Sequence, residues 1–126
     1  DSCKQNGWDI WMHSCGRINK IIPSLIDIGL DVINMSQPIT NGIDEIGSQF
    51  AGKLCFQACC DIQKTLPFGS DQEIEQEAKD LILKWGTDKG GIIFSDYGDG
   101  DAIGVAEEKR RVMFDAFIKY DRWKNN

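Results

Sequence analysis

Residues 8–35, WDIWMHSCGRINKIIPSLIDIGLDVINM, contain the pattern that decides the fold. The apolar and aromatic run Trp8–Met12 predicts a strand, and Asp31–Met35 predicts a second strand. Between them, isoleucine and leucine residues recur at helical spacing, and Gly29 ends the predicted helix. Pro23 interrupts that spacing, so we expect it in the first helical turn, where its missing N–H costs little. The segment therefore predicts a parallel βαβ unit.

Two further strand–helix units follow in the sequence. Leu54–Ala58 and Gly91–Ser95 predict the third and fourth strands. The helix after the third strand begins at Ser70, with Glu73 three residues later, which is the pattern of a capping box. A last helix is predicted near Glu107–Tyr120. The chain thus predicts an α/β protein, a (βα)₄ series with parallel strands and right-handed crossovers.

Two architectures fit this series: an open doubly wound sheet, or half of a TIM (β/α)₈ barrel. A whole barrel needs roughly 250 residues, and this chain has 126. Its strands are almost continuously apolar, which predicts that helices cover both faces of the sheet. Residues 1–126 carry no linker or repeat tract and are predicted to form a single partial domain. The chain begins with what resembles the end of a helix, so we expect a piece of a longer protein.

Composition excludes several classes of partner. The net charge of −6 argues against binding to nucleic acid or to an anionic membrane surface. No apolar run approaches the roughly 20 residues of a membrane-spanning helix. The cysteines are five in number, and the first residues, DSCKQNG, lack the apolar core of a secretory signal. An odd number of cysteines without that signal predicts free thiols and a cytoplasmic location, with two of the five in the core.

His13 and Cys15 are the most informative pair for chemistry. Ligands bind at the carboxyl ends of parallel strands, and both residues follow the first strand there. Because they are two residues apart in extended chain, their side chains point to the same side. Imidazole and thiolate are the donors that zinc prefers, and a catalytic zinc needs three protein ligands. The third would be Cys59 or Cys60, of which at most one faces the pocket; we take Cys60 as the candidate.

Two other interpretations of the pair remain open. One is a hydrogen-bonded histidine beside a packed cysteine. The other is a nucleophilic Cys15 activated by His13, which ranks below metal binding because no third, orienting group is evident in the sequence.

The remaining strand ends supply further candidates. Arg17 opens a helix and could hold a carboxylate or phosphate, although a plain surface arginine fits equally well. With Asp96 and Tyr97, after the fourth strand, it forms our set of candidate catalytic residues. Gln37 and Asp61, after the second and third strands, are candidate cofactor-binding residues. The acidic loop that contains Asp96 lacks the spacing of an EF-hand.

Three stretches resemble the C-terminal half of the uroporphyrinogen decarboxylase superfamily. They are WMHSCGRINKIIPSLIDIGLDVIN at 11–34, QACCDIQKTLPFGS at 57–70 and GGIIFSDYGDGDAIGV at 90–105. The resemblance implies a (β/α)₈ barrel whose first four or so units lie outside this chain. It also implies one of two chemistries. One is cofactor-free decarboxylation of a tetrapyrrole in haem biosynthesis, and the other is zinc-dependent methyl transfer between a corrinoid protein and a thiol or other acceptor.

The resemblance can be carried over residue by residue. In the methyltransferases, zinc is held by a His-x-Cys motif, which His13 and Cys15 match, and by a distant cysteine. The sequence SDYGDG stands where that distant cysteine is expected, so Tyr97 or a nearby aspartate takes its place. The decarboxylases carry a histidine there, which is absent here as well. A polycarboxylate substrate needs several basic residues, and Arg17 is the only one at a strand end. The scarcity of basic residues favours methyl transfer over decarboxylation.

A third expectation concerns the chain by itself. Half a barrel exposes two strand edges and an inner face, so the isolated chain is predicted to be inactive and to self-associate, as a dimer that rebuilds a barrel-like core.

Overall fold

The structure, a computed structural model, describes residues 2–123. It is a mixed α/β fold in which a four-stranded parallel sheet alternates with helices. The strands are β1 (Trp11–His13), β2 (Val32–Met35), β3 (Cys55–Ala58) and β4 (Ile92–Phe94). Their order in the sheet is their order in the chain. The predicted α/β class with parallel strands is confirmed.

The helices alternate with these strands. They are α1 (Ser2–Gln5), α2 (Ile22–Asp27), α3 (Pro38–Asn41), α4 (Ile43–Phe50), α5 (Thr65–Phe68), α6 (Asp71–Trp85) and α7 (Glu107–Tyr120), with a 3₁₀ turn at Asp101–Ile103 before α7. None of the helices within residues 2–123 has the length and apolar character needed to cross a membrane.

Local sequence signals explain where the helices begin. The Ser70 hydroxyl accepts a hydrogen bond from the Glu73 N–H at 3.3 Å, and the Ser70 N–H donates to the Glu73 carboxylate at 2.7 Å. The predicted capping box is therefore present at the start of α6. Pro23 lies in the first turn of α2, as its missing N–H predicts. The predicted range of α7 matches the observed one.

The first strand begins three residues later than the sequence predicts. The Trp8 N–H donates to the Cys3 carbonyl at 3.0 Å, which ties it to the turn after α1. The Ile10 N–H donates to the Asp31 carboxylate at 2.7 Å instead of to a strand carbonyl. The N–H groups of Trp8 and Ile10 are thus bonded outside the strand ladder, whereas the Ile10 carbonyl accepts the N–H of Val32 in β2 at 3.0 Å. The ladder of β1 begins at Trp11.

One face of the sheet carries the core. Ile33, Met35, Phe56 and Ala58 alternate along β2 and β3 and are almost completely buried beneath the helices. Phe94 of β4 joins them on the same face and stacks on a phenylalanine of α7 with ring centroids 4.5 Å apart. This face, together with α2, α4, α6 and α7, forms one continuous hydrophobic cluster. We call it the covered face.

The opposite face of the sheet is not covered by any helix of residues 2–123. Trp11, His13, Asn34, Gln57 and Ile93 alternate with the core residues and are exposed or half-buried. The prediction that helices cover both faces is therefore wrong for this part of the chain. The physical reason is that right-handed crossovers between strands in sequential order place every helix on the same side. We call this second surface the open face.

Candidate functional site

The candidate site lies at the carboxyl end of β1, at the edge of the open face. The His13 Nε2 atom is 3.2 Å from the Cys15 Sγ atom, and both side chains are exposed. Strand β1 ends at His13, so the extended chain that follows turns Cys15 to the same side as the imidazole. The structure thus brings together the two residues that the sequence singled out.

The second ring nitrogen of His13 has its own partner. The Nδ1 atom lies 2.5 Å from the Oδ1 atom of Asn34, which is opposite His13 in the register of β1 and β2. Asn34 is the orienting group that the sequence alone did not reveal. The sequence contained a clue to this role, because Asn34 lies near the end of the predicted second strand, as His13 does at the end of the first. The resulting series Asn34–His13–Cys15 joins an acceptor, an imidazole and a thiol.

A buried hydrogen-bond network fixes the loop that carries Cys15. The Gly16 N–H donates to the Gln37 Oε1 atom at 2.7 Å, and the Gly16 carbonyl accepts from the Asn41 amide at 3.0 Å. The Asn41 Oδ1 atom in turn accepts from the Ile18 N–H at 3.0 Å. Gly16 has a φ of +76°, a conformation that favours glycine. Gln37, a predicted cofactor-binding residue, therefore holds this loop with its amide oxygen.

A second pair of side chains spans the open face beside the site. The Trp11 indole N–H donates to the Gln57 Oε1 atom at 3.0 Å, reaching across β2 to β3. Val32 is opposite Trp11 in the register, whereas Gln57 is opposite Asn34, so the bond runs diagonally across β2. Val32 is only 8% exposed, although it belongs to the open face. Half of the Trp11 side chain, 52%, remains accessible. The surface next to His13 is therefore aromatic and amide-bearing, without a charged side chain in the rows of these strands.

Neither Cys59 nor Cys60 contributes to the site. Both are buried, and the Cys60 thiol lies 3.6 Å from the carbonyl of Ile74 in α6, on the helix side of the sheet. Burial raises the pKa of Cys59 to about 12 and the pKa of Cys60 well above its ordinary value, so both are protonated thiols. Burial of both is compatible with the expectation that at most one faces the pocket, but the structure does not bring Cys60, the candidate third ligand, to His13 and Cys15. The end of β3 turns both into the core instead.

Asp61 and Glu77 form a buried carboxylate pair under the loop after β3. The Asp61 oxygens accept the N–H groups of Ile39, Gln63 and Lys64 at 3.0–3.2 Å, so this predicted cofactor-binding residue fixes its own loop. The Asp61 N–H donates to the Glu77 carboxylate at 2.7 Å. Burial, with a smaller effect of nearby carboxylates, raises the pKa of Glu77 to about 7. Glu77 lies on the apolar stripe of α6, which is the sequence signal that would have marked it.

The hydrogen bonds and ion pairs of the three candidate catalytic residues involve neither His13 nor Cys15. Arg17 is exposed and pairs with Glu45 of α4 at 2.9 Å, which is the plain surface interpretation. Asp96 pairs with Arg110 of α7, and its other oxygen accepts the N–H of Tyr97 at 2.8 Å. The Tyr97 ring is exposed in the loop after β4.

No group of three His, Cys, Asp or Glu side chains among residues 2–123 is placed to hold a metal ion. The structure therefore shows His13 and Cys15 as a pair, with Asn34 behind the imidazole.

Comparison with models of known protein families gave no match to this chain, and comparison with curated protein sequences gave none either. The resemblance to the uroporphyrinogen decarboxylase superfamily thus remains a prediction from the residues.

Proposed function

We propose that this chain forms the C-terminal half of a (β/α)₈ barrel enzyme of the uroporphyrinogen decarboxylase superfamily. The sequential strand order supports this proposal, because a doubly wound sheet reverses its order at a switch point. No such reversal occurs among the strands of residues 2–123. In such a barrel the open face would be the inner surface, and the carboxyl ends of the strands would form the mouth of the active site.

We further propose that the enzyme transfers a methyl group from a corrinoid protein to a thiol or similar small acceptor, with zinc held by His13 and Cys15. The observation that carries this proposal is the 3.2 Å between His13 Nε2 and Cys15 Sγ. Tetrahedral zinc sets its nitrogen and sulfur ligands about 3.5 Å apart. Asn34 adds the outer acceptor that zinc-binding histidines commonly have. These residues fit two of three ligand positions, and the third would come from outside residues 2–123.

In this proposal, different residues of the chain hold the metal, orient its ligands and contact the acceptor. A zinc ion held at the site would lower the pKa of a substrate thiol so that the thiolate is available at neutral pH. Asn34 orients the imidazole, and the network around Gly16 keeps Cys15 next to it. The accessible indole of Trp11 and the Gln57 amide offer an apolar and hydrogen-bonding surface for the acceptor.

The ion pairs of the structure favour methyl transfer over decarboxylation of a polycarboxylate tetrapyrrole. A substrate of that kind needs cations near the strand ends. Arg17 is engaged by Glu45, and Arg110 is engaged by Asp96.

One observation favours a second candidate function, in which Cys15 is a nucleophile. The series Asn34–His13–Cys15 has the order of orienting group, base and thiol that cysteine enzymes use. Metal-free chain should then be alkylated at Cys15 by iodoacetamide faster than at Cys3, and the excess rate should disappear in His13→Ala. In the zinc enzyme, by contrast, added zinc protects Cys15 from alkylation.

Measurement of bound zinc tests the methyl-transfer proposal. The 126-residue chain is incubated with Zn²⁺, freed of unbound metal and assayed by elemental analysis. We expect zinc to be retained and to be lost in His13→Ala and in Cys15→Ser. Cys60→Ser and Cys55→Ser are matched controls that should retain it. Cys60 is buried against α6, and Cys55 lies on β3 opposite Val32, at the level of Trp11 and not of His13. Absence of zinc from the unaltered chain, or its retention in both site variants, would contradict the proposal.

All five cysteines are free thiols. We therefore place the enzyme in a reducing compartment such as the cytoplasm.

A further inference from the structure

The two ring nitrogens of His13 face chemically different partners. Nδ1 faces an amide oxygen at 2.5 Å, and Nε2 faces a thiol sulfur at 3.2 Å. An amide oxygen can only accept a hydrogen bond, so the ring nitrogen opposite it must donate. A neutral imidazole carries one N–H, which leaves the lone pair on Nε2, on the side of Cys15.

We propose that Asn34 is a positioning residue that holds the proton of His13 on Nδ1 and thereby presents the free Nε2 atom to the site. In water a neutral imidazole favours the proton on Nε2, which would block the nitrogen that faces Cys15. The same tautomer serves both a metal ligand and a general base. The consequence for zinc binding depends on the proposed function, whereas the tautomer itself does not.

The backbone of Asn34 explains why it can serve this purpose. Its carbonyl accepts the N–H of Ser14 at 3.2 Å, while its side chain holds His13. Asn34 therefore forms two hydrogen bonds with residues 13–15, one through its carbonyl and one through its side chain. It does so from an inner strand of the sheet, which is paired with β1 on one side and β3 on the other. Groups placed on regular strands hold a site more rigidly than groups on loops.

Nitrogen NMR of the imidazole tests the tautomer directly. His13 is the single histidine of the chain, so its ring signals need no assignment. In metal-free protein, at a pH where the ring is neutral, we expect the ¹⁵N shifts of the Nδ1–H form. Asn34→Leu, which keeps the volume and removes the acceptor, should shift the population to the Nε2–H form. Asn34→Asp, which keeps an acceptor, should restore Nδ1–H.

Gln57→Leu is the control, because Gln57 occupies the neighbouring strand position but bonds Trp11 instead of His13. It should leave the ring shifts unchanged. An Nε2–H ring in the unaltered chain, or identical shifts in Asn34→Leu and the unaltered chain, would overturn the proposal. Equal urea midpoints for the variants would show that the ring, and not the fold, has responded.

Cobalt binding then separates this inference from the proposed function. Co²⁺ gives a visible spectrum with a thiolate and imidazole ligand set, and its affinity can be titrated. We expect Asn34→Leu to weaken Co²⁺ binding about 10–100-fold, as loss of an outer partner does at other metal sites, and Asn34→Asp and Gln57→Leu to retain it. If the tautomer is Nδ1–H and the unaltered chain binds neither Co²⁺ nor Zn²⁺, the positioning role stands and the zinc proposal fails. If metal binds equally in all variants, the positioning role for the metal fails.

Discussion

The covered and open faces of the sheet are built from alternate residues of the same four short strands, but they differ in burial, polarity and hydrogen bonding. Covered-face residues such as Ile33 and Phe56 are completely buried and apolar. Open-face residues such as His13, Asn34 and Gln57 are exposed or half-buried and carry polar side chains. They are hydrogen-bonded across the strands, His13 to Asn34 and Gln57 to Trp11. The alternation shows that one strand sequence supplies the hydrophobic core on one side and the candidate site on the other.

The largest effect should come from the covered face. Phe56 is 0% exposed and packs against Trp85 with ring centroids 4.9 Å apart. Phe56→Ala should lower the free energy of unfolding by about 3–5 kcal/mol, whereas Ile93→Ala on the open face should cost less than about 1 kcal/mol. Urea denaturation measures both. Should Phe56→Ala fail to fold, Phe56→Leu provides a milder loss, and equal losses at both positions would contradict the division of the sheet.

A smaller and pH-dependent effect should come from Glu77, a buried carboxyl group of α6. Its pKa is raised from 4.5 to about 7 in the folded chain, so the folded state binds the proton more tightly than the unfolded state. The contribution of Glu77 to stability is therefore greatest below pH 4.5, falls as the pH rises to about 7 and is level above that. The loss amounts to roughly 3 kcal/mol.

Glu77→Gln keeps an acceptor for the Asp61 N–H and removes the charge. It should match the unaltered chain near pH 4 and exceed its stability near pH 8 by up to roughly 3 kcal/mol. Denaturant titrations at both pH values measure the difference. A stability gap that does not change with pH would show that Glu77 does not titrate in this range.

The open face should reveal itself in the association state. We expect the 126-residue chain to sediment as a dimer in analytical ultracentrifugation, because no element of residues 2–123 covers the open face or pairs with the outer edges of β1 and β4. Ile93→Lys places a charge on the open face and should weaken the dimer tenfold or more. Leu83→Lys is the matched control, since Leu83 is an exposed aliphatic residue on α6. A monomer at all concentrations would contradict self-association.

The smallest effect should come from Arg17. Its ion pair with Glu45 is exposed, and pairs of that kind contribute about 0.5 kcal/mol or less. Arg17→Gln should change the urea midpoint only within error and leave retained zinc unchanged. A marked loss of zinc in this variant would contradict the prediction and indicate that Arg17 contributes to the candidate site.

Sequence reasoning succeeded where the controlling interactions are local. The capping box at Ser70 and the position of Pro23 depend on neighbours within one helical turn, and both appear as predicted. The convergence of His13 and Cys15 likewise follows from the geometry of two residues in extended chain.

The predictions that failed depend on residues distant in the chain. Asp31, 21 residues from Ile10, accepts its N–H, and the first strand begins at Trp11 instead of Trp8. The direction of Cys60 depends on its contact with α6, and the role of Asn34 depends on the register of β1 against β2. Periodicity within one segment carries no information about which distant side chain completes a bond.

The position of β1 at the edge of the sheet has a consequence for how the site would be completed. Its outer backbone groups have no strand partner within residues 2–123. A strand added along that edge would carry its own side chains directly beside His13 and Cys15, at the same height above the sheet. Pairing of the added strand with β1 would then also bring a further side chain to the imidazole and the thiol. The candidate site would be completed only when that strand is in place.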